Sequence, residues 1–415
     1  MDPSIQNGKS TAIKRVIYAW PYLTWGGAQI YFLGLLKEAR KYFDISVVMP
    51  AGSDPQLVKY FEEEGIEPDF FEPAFERPVG SGLSSKYELH RSKIASERGL
   101  LNHLEEKYDL ESSIVHIELA PWQSLLSLVW LSLRTIVFIT MHNSLPHVNP
   151  IRKALWNLKL RTISRFRHFH PFSSNRDSKN YFKGMYSDEM HKSIAVTYTN
   201  VNPEEIDVAY DAQIDREAIR KANGLRADSF LVICVGQFVD RKGRWTFLDA
   251  AKRVIAESDD IDFAWVSNSE LSSSDASKIE DYDLGDRFKL IDSDSVGNEH
   301  SDLFKLVRAS DIFVLPSFVE GLPISLLEAM ALEMPCISTS INAIPEAVIH
   351  EETGLLIEAG DDVDLAGSIM RLRSDEELRE ALRSAARELV LNTFNEKEVA
   401  KIASERYLAA ARLKK

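Results

Sequence analysis

The sequence predicts an α/β fold with two Rossmann-like, doubly wound domains that face a cleft. Three observations carry that prediction. Apolar, β-branched runs alternate with helix-length patterns almost from end to end, which implies βαβ units and parallel sheets covered on both faces. A polar, acidic stretch at 200–228, carrying Pro203, interrupts the alternation near mid-chain. The length, 415 residues, exceeds what one ordinary core holds and suits two or three domains.

In the first half, KRVIYAW (14–20) reads as a strand, AQIYFLGLLKEARKY (28–42) as a helix and DISVVMP (44–50) as a strand. SIVHIEL, TIVFITM, HFHPFS and KSIAVTY (192–198) continue the strands. Residues 124–141, SLLSLVWLSLRTIVFITM, are long enough for a membrane span. Arg134 interrupts them and the composition turns β-branched there, so a helix followed by a buried strand is expected. In the second half SFLVICVG, IDFAWVS, RFKLID, DIFVLPS and PCISTS read as strands. The boundary is placed near 203, giving domains 1–203 and 204–394. The tail from about 395, NEKEVAKIASERYLAAARLKK, reads as an amphipathic helix with Asn395 as its N-cap.

Composition bounds the function. The formal charge of −14 argues against general nucleic-acid binding. Cys234 and Cys336 each sit inside a strand-like run and read as small buried hydrophobes rather than a redox pair. The opening MDPSIQNGKS lacks apolar periodicity, so order is not expected there. No charged-then-apolar leader is seen, and a cytoplasmic location is the expectation.

Open parallel sheets bind ligands beyond the carboxyl ends of their strands, so the loops after strands are where chemistry is sought. PSFVEGLPISLLEAMALEMP (316–335) follows strand DIFVLPS. Pro323 suits a helix's first turn, and the N–H groups at that helix start make an anion site suited to phosphate. Glu320 precedes the helix and Glu328 lies about one and a half turns inside it. Carboxylates are poor phosphate ligands but good acceptors for sugar and ribose hydroxyls. The plainer reading is a solvated loop acid and a helix-surface acid.

VGQFVDRKGRW (235–245) follows the first strand of the second half. Gly236 lets the backbone turn closely, and Arg241, Lys242 and Arg244 put cations where the helix dipole disfavours them. A lysine there would stabilise a diphosphate leaving group. PYLTWGGAQ (21–29) offers Gly26 and Gly27 for a tight turn and close ligand approach. His142 in TMHNS follows strand TIVFITM and could face the cleft or be a satisfied loop histidine. G-x-G-x-x-G, the Walker lysine loop, G-x-S-x-G and zinc spacings are not found. Two Asp-x-Asp triplets, Asp281–Tyr282–Asp283 and Asp292–Ser293–Asp294, are weak candidates for a metal bridging a diphosphate.

Together these loops resemble the retaining family 4 glycosyltransferases of GT-B fold. The resemblance spans nearly the whole chain, and its most specific element is the Glu-x7-Glu motif at Glu320 and Glu328. Pro345–Glu346 and Thr353–Gly354–Leu355 stand where that family has Ile-Pro-Glu and Thr-Gly-Leu. The Gly–Gly loop, the histidine after a strand, the SSNRDSKNYF helix start and the Lys–Gly of RKG fall in the expected order. The resemblance implies a nucleotide-sugar donor held mainly by the C-terminal domain. Glu320 would contact sugar hydroxyls, Glu328 the ribose, and backbone N–H groups around Leu322, Ile324 and Ser325 the sugar and diphosphate, with Gly321 and Pro323 in the same donor-binding loop. Lys242 would neutralise the diphosphate, Gly27 approach it, and His142 line the reacting sugar. The last helix would return to the N-terminal domain. Transfer would retain anomeric configuration without metal or cofactor.

The sequence departs from the family at four places. Gln237 stands where arginine is common, with Arg241 a candidate for the lost charge. Pro323 replaces a glycine, TYTNVNPEE replaces an Asn-Gly-Val-Asp run, and Glu333 replaces a glycine before Met334. Two alternatives share the scaffold: a nucleotide-sugar epimerase, and a degenerate nucleotide-sugar-binding protein suggested by Gln237. The acceptor, whether carbohydrate, lipid-linked or small molecule, is not legible. Segment 151–170 carries six Lys/Arg and no acid, with Trp156, Leu160, Ile163 and Phe166 interleaved. It reads as a core-packed helix with a basic solvent face, or as weak contact with the inner face of an anionic membrane.

Overall fold

The computed structural model describes residues 12–23, 26–74, 83–144, 149–297 and 299–414. The opening MDPSIQNGKS, and Thr24 and Trp25 of the glycine loop, lie outside the described residues. The chain divides into two compact units, one of Met1–Thr197 with Lys397–Lys415, the other of Tyr198–Glu396. The first division falls ahead of the expected point at 203, where Pro203 instead opens a helix capped by the Asn202 side chain.

The first unit carries β1 (Arg15–Ala19), β2 (Asp44–Pro50), β3 (Asp69–Phe71), β4 (Ser113–Ile117), β5 (Ile136–Met141), β6 (Phe169–Ser173) and β7 (Ala195–Val196). Among the described residues they form one parallel sheet in the order β3-β2-β1-β4-β5-β6-β7. The central strands are buried throughout, as strands covered on both faces must be. The apolar segment 124–141 resolves into helix Leu125–Ser132 and buried β5. No helix among the described residues is long and apolar enough to cross a membrane. Only Ala195–Val196 of the expected strand 192–198 pairs, because Lys192 and Ser193 end the preceding helix.

The tail forms helix Glu396–Leu413 and belongs, from Lys397, to the first unit. Tyr407 is fully buried there, in hydrogen-bond contact with His116 Nδ1 at 2.6 Å. Asn395 directly precedes this helix, and its side-chain amide donates to Leu391 O at the end of the previous one.

The second unit carries β8 (Phe230–Val235), β9 (Ile261–Ser267), β10 (Phe288–Asp292), β11 (Ile312–Leu315), β12 (Cys336–Thr339) and β13 (Leu355–Ile357). These form a second parallel sheet in the order β10-β9-β8-β11-β12-β13. Cys234 and Cys336 are free thiols buried in this core. Burying Trp265, Phe247 and Phe263 contributes about 2–3 kcal/mol each against exposure. In both sheets the strand order reverses beside the first strand, between β1 and β4 and between β8 and β11. Such a switch point leaves a crevice at the strands' carboxyl ends, because successive crossovers leave it in opposite directions.

Candidate active site

The second unit's switch point is where the sequence's main candidates meet. After β8 the chain passes Gly236 and Gln237, makes a short 3-10 turn at Asp240–Lys242, and enters helix Arg244–Glu257. After β11 it passes Pro316 and Glu320 and enters helix Ile324–Ala331. The two loops are locked together. Phe318 N–H donates to Arg241 O at 2.8 Å. Gly243 has φ +76°, and a Cβ there would sit 1.9 Å from Pro316 O, so only glycine fits.

That lock sets Lys242 Nζ 2.6 Å from Glu320 Oε1. Both side chains are nearly buried, and Ser317 Oγ also donates to Glu320 Oε1, at 2.9 Å. The Glu320 N–H donates to Asn342 Oδ1 at 3.3 Å. A lysine and a carboxylate neutralising each other at a strand end form a site where an incoming anion could take the lysine and a hydroxyl the acid. Arg241 Nη1 stands 4.0 Å from Glu320, and Arg241 Nη2 donates to Gln237 Oε1 at 2.8 Å. Gln237 and Arg241 therefore share one position beside the pair. Arg244 does not join it. Its guanidinium is held by Asp240 at 2.8 Å and Asp275 at 2.9 Å and lies over Trp245, so it anchors the helix start.

Pro323 is the N-cap of helix Ile324–Ala331 rather than part of its first turn. Gly321 and the buried Leu322 lead into it, and Ser325 Oγ donates to Val235 O at 3.1 Å, tying the helix start to the end of β8. Glu328, one turn in, faces His300 Nε2 at 3.4 Å. Burial raises the Glu328 pKa, with His300 acting in the opposite sense. The surrounding motif residues have structural duties. Thr353 Oγ1 bridges Ile349 N and Ala347 O, a Cβ on Gly354 would meet Cys336 O at 2.8 Å, and Glu346 accepts from Tyr198. Glu333 occupies the left-handed position after the helix, φ 58°, where glycine is the usual residue.

In the first unit, Gly26 caps helix Gly27–Ala39, with its N–H donating to Gln29 Oε1 at 3.0 Å. Its φ of 175° is ordinary extended backbone, so the expected glycine-dependent turn is not what Gly26 supplies. A Cβ there would meet nothing within 4 Å, which leaves open space above the helix start. His142 lies just past β5, its Nε2 donating to Glu118 Oε1 at 3.1 Å and the Tyr31 ring edge-on to it. The SSN start of helix Arg176–Tyr181 fixes this loop, because Asn175 Nδ2 donates to His142 O at 2.8 Å.

Sequence reasoning missed Glu118 and His300. Glu118 directly follows β4, and the rule that selected His142 would have found it. His300 carries no local signal, since its partners are far away in sequence. Of the Asp-x-Asp triplets, Asp292 caps a short helix, and Tyr282, between Asp281 and Asp283, donates to Asp249.

Residues 215–389 match the family described as Glycosyl transferases group 1. The chain is 31% identical over 224 residues to UDP-Gal:alpha-D-GlcNAc-diphosphoundecaprenol alpha-1,3-galactosyltransferase of Escherichia coli, covering 53% of this chain and 55% of that one. It thus spans about half the length of that curated relative. Among solved structures, a glycosyltransferase of Rickettsia africae superposes with a TM-score of 0.73 over 96% of this chain and 98% of that one, at 17% identity. HepE of Anabaena, in complex with UDP and glucose, superposes with a TM-score of 0.74 over 95% and 100%, also at 17% identity. The chain has the GT-B fold, and its second unit carries the match to the group 1 glycosyl transferases.

Proposed function

We propose that this chain is a glycosyltransferase that moves a sugar from a nucleotide-sugar donor to an acceptor hydroxyl with retention of anomeric configuration and without a metal. The observation that carries the reading is the Lys242–Glu320 pair at the β8/β11 switch point, beside the start of helix Ile324–Ala331, with Glu328 one turn on. A diphosphate bound there would draw Lys242 toward itself and accept from the helix's first N–H groups. Glu320, released from the lysine, would accept from sugar hydroxyls, and Glu328 from the ribose. The bond from the anomeric carbon to the diphosphate breaks as the acceptor oxygen bonds the same face. The acceptor's proton passes to the departing diphosphate oxygen. Lys242 stabilises the charge that develops there. Within the first unit, Gly26 and Gly27 at their helix start and His142, held by Glu118, are the candidate residues.

The UDP-Gal donor named for the Escherichia coli relative and the UDP and glucose bound to HepE support a nucleotide-sugar donor. Gln237 does not favour a degenerate binding protein, because Arg241 fills out its position. Incubation with a panel of nucleotide sugars is expected to give slow release of free nucleotide from one of them. Glu320→Gln is expected to lower that release by about 10²-fold with the fold intact. A changed sugar, or tight binding without release, would point to an epimerase or a binding protein instead.

We also assign the helix Pro150–Ile163 to an anionic membrane surface that presents a lipid-linked acceptor. Trp156, Leu160 and Ile163 pack into the core, but Ile151, Leu155 and Leu158 form a second, exposed stripe at helical spacing. Arg152, Lys153 and Arg161 are exposed on the same helix, and Leu126 and Leu133 are exposed at the neighbouring helix Leu125–Ser132. Apolar residues flanked by cations, on a chain of net −14, suit an interfacial contact. The chain is expected to float with phosphatidylglycerol vesicles at low salt. Binding unchanged by Ile151→Ser/Leu155→Ser would remove this assignment.

A further inference from the structure

His300 opens helix His300–Arg308 and stands between acids from two other elements. Its Nδ1 lies 3.0 Å from Glu205 Oε1, on helix Pro203–Asp211, and its Nε2 3.4 Å from Glu328 Oε1. Carboxylates only accept hydrogen bonds, whereas a neutral imidazole carries one N–H. Facing acids at both nitrogens, the ring is matched only as the imidazolium. Burial acts to lower its pKa, but Glu328 and Glu205 together hold it up at about 9.

The other charged groups around the ring are occupied elsewhere. On its own helix, Asp302 accepts from Lys305 at 2.8 Å, and Glu299 accepts from Ser301. The adjoining helix Arg216–Ala222 pairs Arg216 and Arg220 with Asp311 and Lys221 with Glu217. Asp294 lies in the short helix Ser293–Val296. On Glu205's helix, which also carries Glu204 and Asp211, Asp207 pairs with Arg387 at 2.6 Å, and Arg308 of the His300 helix donates to Ala209 O and Ala212 O. Glu328 is also the one acid lining a small pocket at the end of β8, with Val235, Leu303, Phe304, Val307 and Ser325.

We propose that His300 is a positioning residue for the nucleoside half of the donor: paired with Glu328, one turn into helix Ile324–Ala331, it fixes that carboxyl group in place, and Glu205 holds His300. The inference rests on reading the second unit as the donor domain. A buried acid without its cation drifts toward protonation and loses its fixed rotamer, and then grips a ribose diol poorly. The effect therefore falls on nucleotide affinity more than on the turnover of bound donor. It also fades as pH rises through the titration of His300.

Calorimetry on the full chain with UDP, GDP and ADP from pH 7 to 10 tests this. Wild type is expected to bind one of them and to weaken as pH rises through about 9. His300→Gln should weaken that binding about tenfold at neutral pH, abolish the alkaline loss and raise the donor KM while leaving kcat within about twofold. His300→Lys, which keeps a charge, should restore most of the affinity. Glu205→Gln, should His300→Gln fold poorly, should shift the alkaline loss to lower pH. Wild-type affinity and pH profile in His300→Gln and Glu205→Gln, even with lowered thermal stability, would overturn the proposal and leave a purely structural bridge. Wild type binding none of the three nucleotides would overturn the donor reading itself, and this inference with it.

Discussion

At the scale of single residues, the pair that carries the proposed chemistry is also one the fold must accommodate. Lys242 and Glu320 are both nearly buried, 2.6 Å apart. Truncating one partner leaves the other as an uncompensated buried charge, which costs about 3 kcal/mol or more. Lys242→Met is therefore expected to lower stability by about that amount in urea unfolding, and the double variant Lys242→Met/Glu320→Gln to recover most of it. Additive losses would mean that the two side chains do not depend on each other. Lys242 stood out because cations at a helix start oppose the helix dipole, and Glu320 because of its spacing from Glu328. Arg244 carried the same signal but anchors to Asp240 and Asp275, partners that cation spacing alone does not reveal. Glu333 is the converse case. A residue that breaks a glycine pattern keeps the left-handed backbone, φ 58°, and gains a hydrogen bond from Tyr210 at 2.9 Å.

At the scale of elements, the site depends on how the loops after β8 and β11 are joined. Gly243 packs without a side chain against the Pro316 carbonyl, and Phe318 N–H donates to Arg241 O. Gly243→Ala must both strain a left-handed residue and push two loops apart. A loss of about 3 kcal/mol or more is expected in chemical denaturation, together with loss of donor turnover. Wild-type stability would show that the two loops are not packed as described. Strands rich in β-branched residues were legible from composition. The three-residue strand Asp69–Phe71 was not, because so short an edge strand shows no period. Strand Ala195–Val196 was overestimated for the opposite reason, since an apolar run can continue past the residues that pair.

At the scale of the molecule, the histidines give the two units opposite pH dependence. In the first unit His116 is fully buried between Tyr407 and Thr140, and burial holds its pKa well below the usual value. Burial, with His168 and Arg406, likewise lowers His170 to about 4. These groups bind protons more readily unfolded than folded. Their contribution is present above pH of about 6.5 and lost as pH falls below it. In the second unit His300 is raised to about 9, so its contribution is complete below about 6.5 and lost as pH rises through 9. Amide hydrogen exchange, corrected for intrinsic rates, should show β1 and β4 losing protection from pH 7 to 5. β8 and β11 should lose it from pH 7 to 9. Equal slopes in both sheets would contradict these assignments. The parallel, doubly wound character of both units was legible from alternation alone. The bridge from Glu205 through His300 to Glu328 was not, because it joins three helices that no sequence period relates.

The proposed function requires a nucleotide-sugar diphosphate to bind at the start of helix Ile324–Ala331. A crystal structure with a nucleotide sugar soaked in tests it most directly. Diphosphate oxygens are expected within hydrogen-bond reach of Lys242 Nζ and the Ile324 and Ser325 N–H groups, sugar hydroxyls on Glu320, and ribose hydroxyls on Glu328. A donor bound elsewhere, with the Lys242–Glu320 contact unbroken and Glu328 touching only His300, would contradict it.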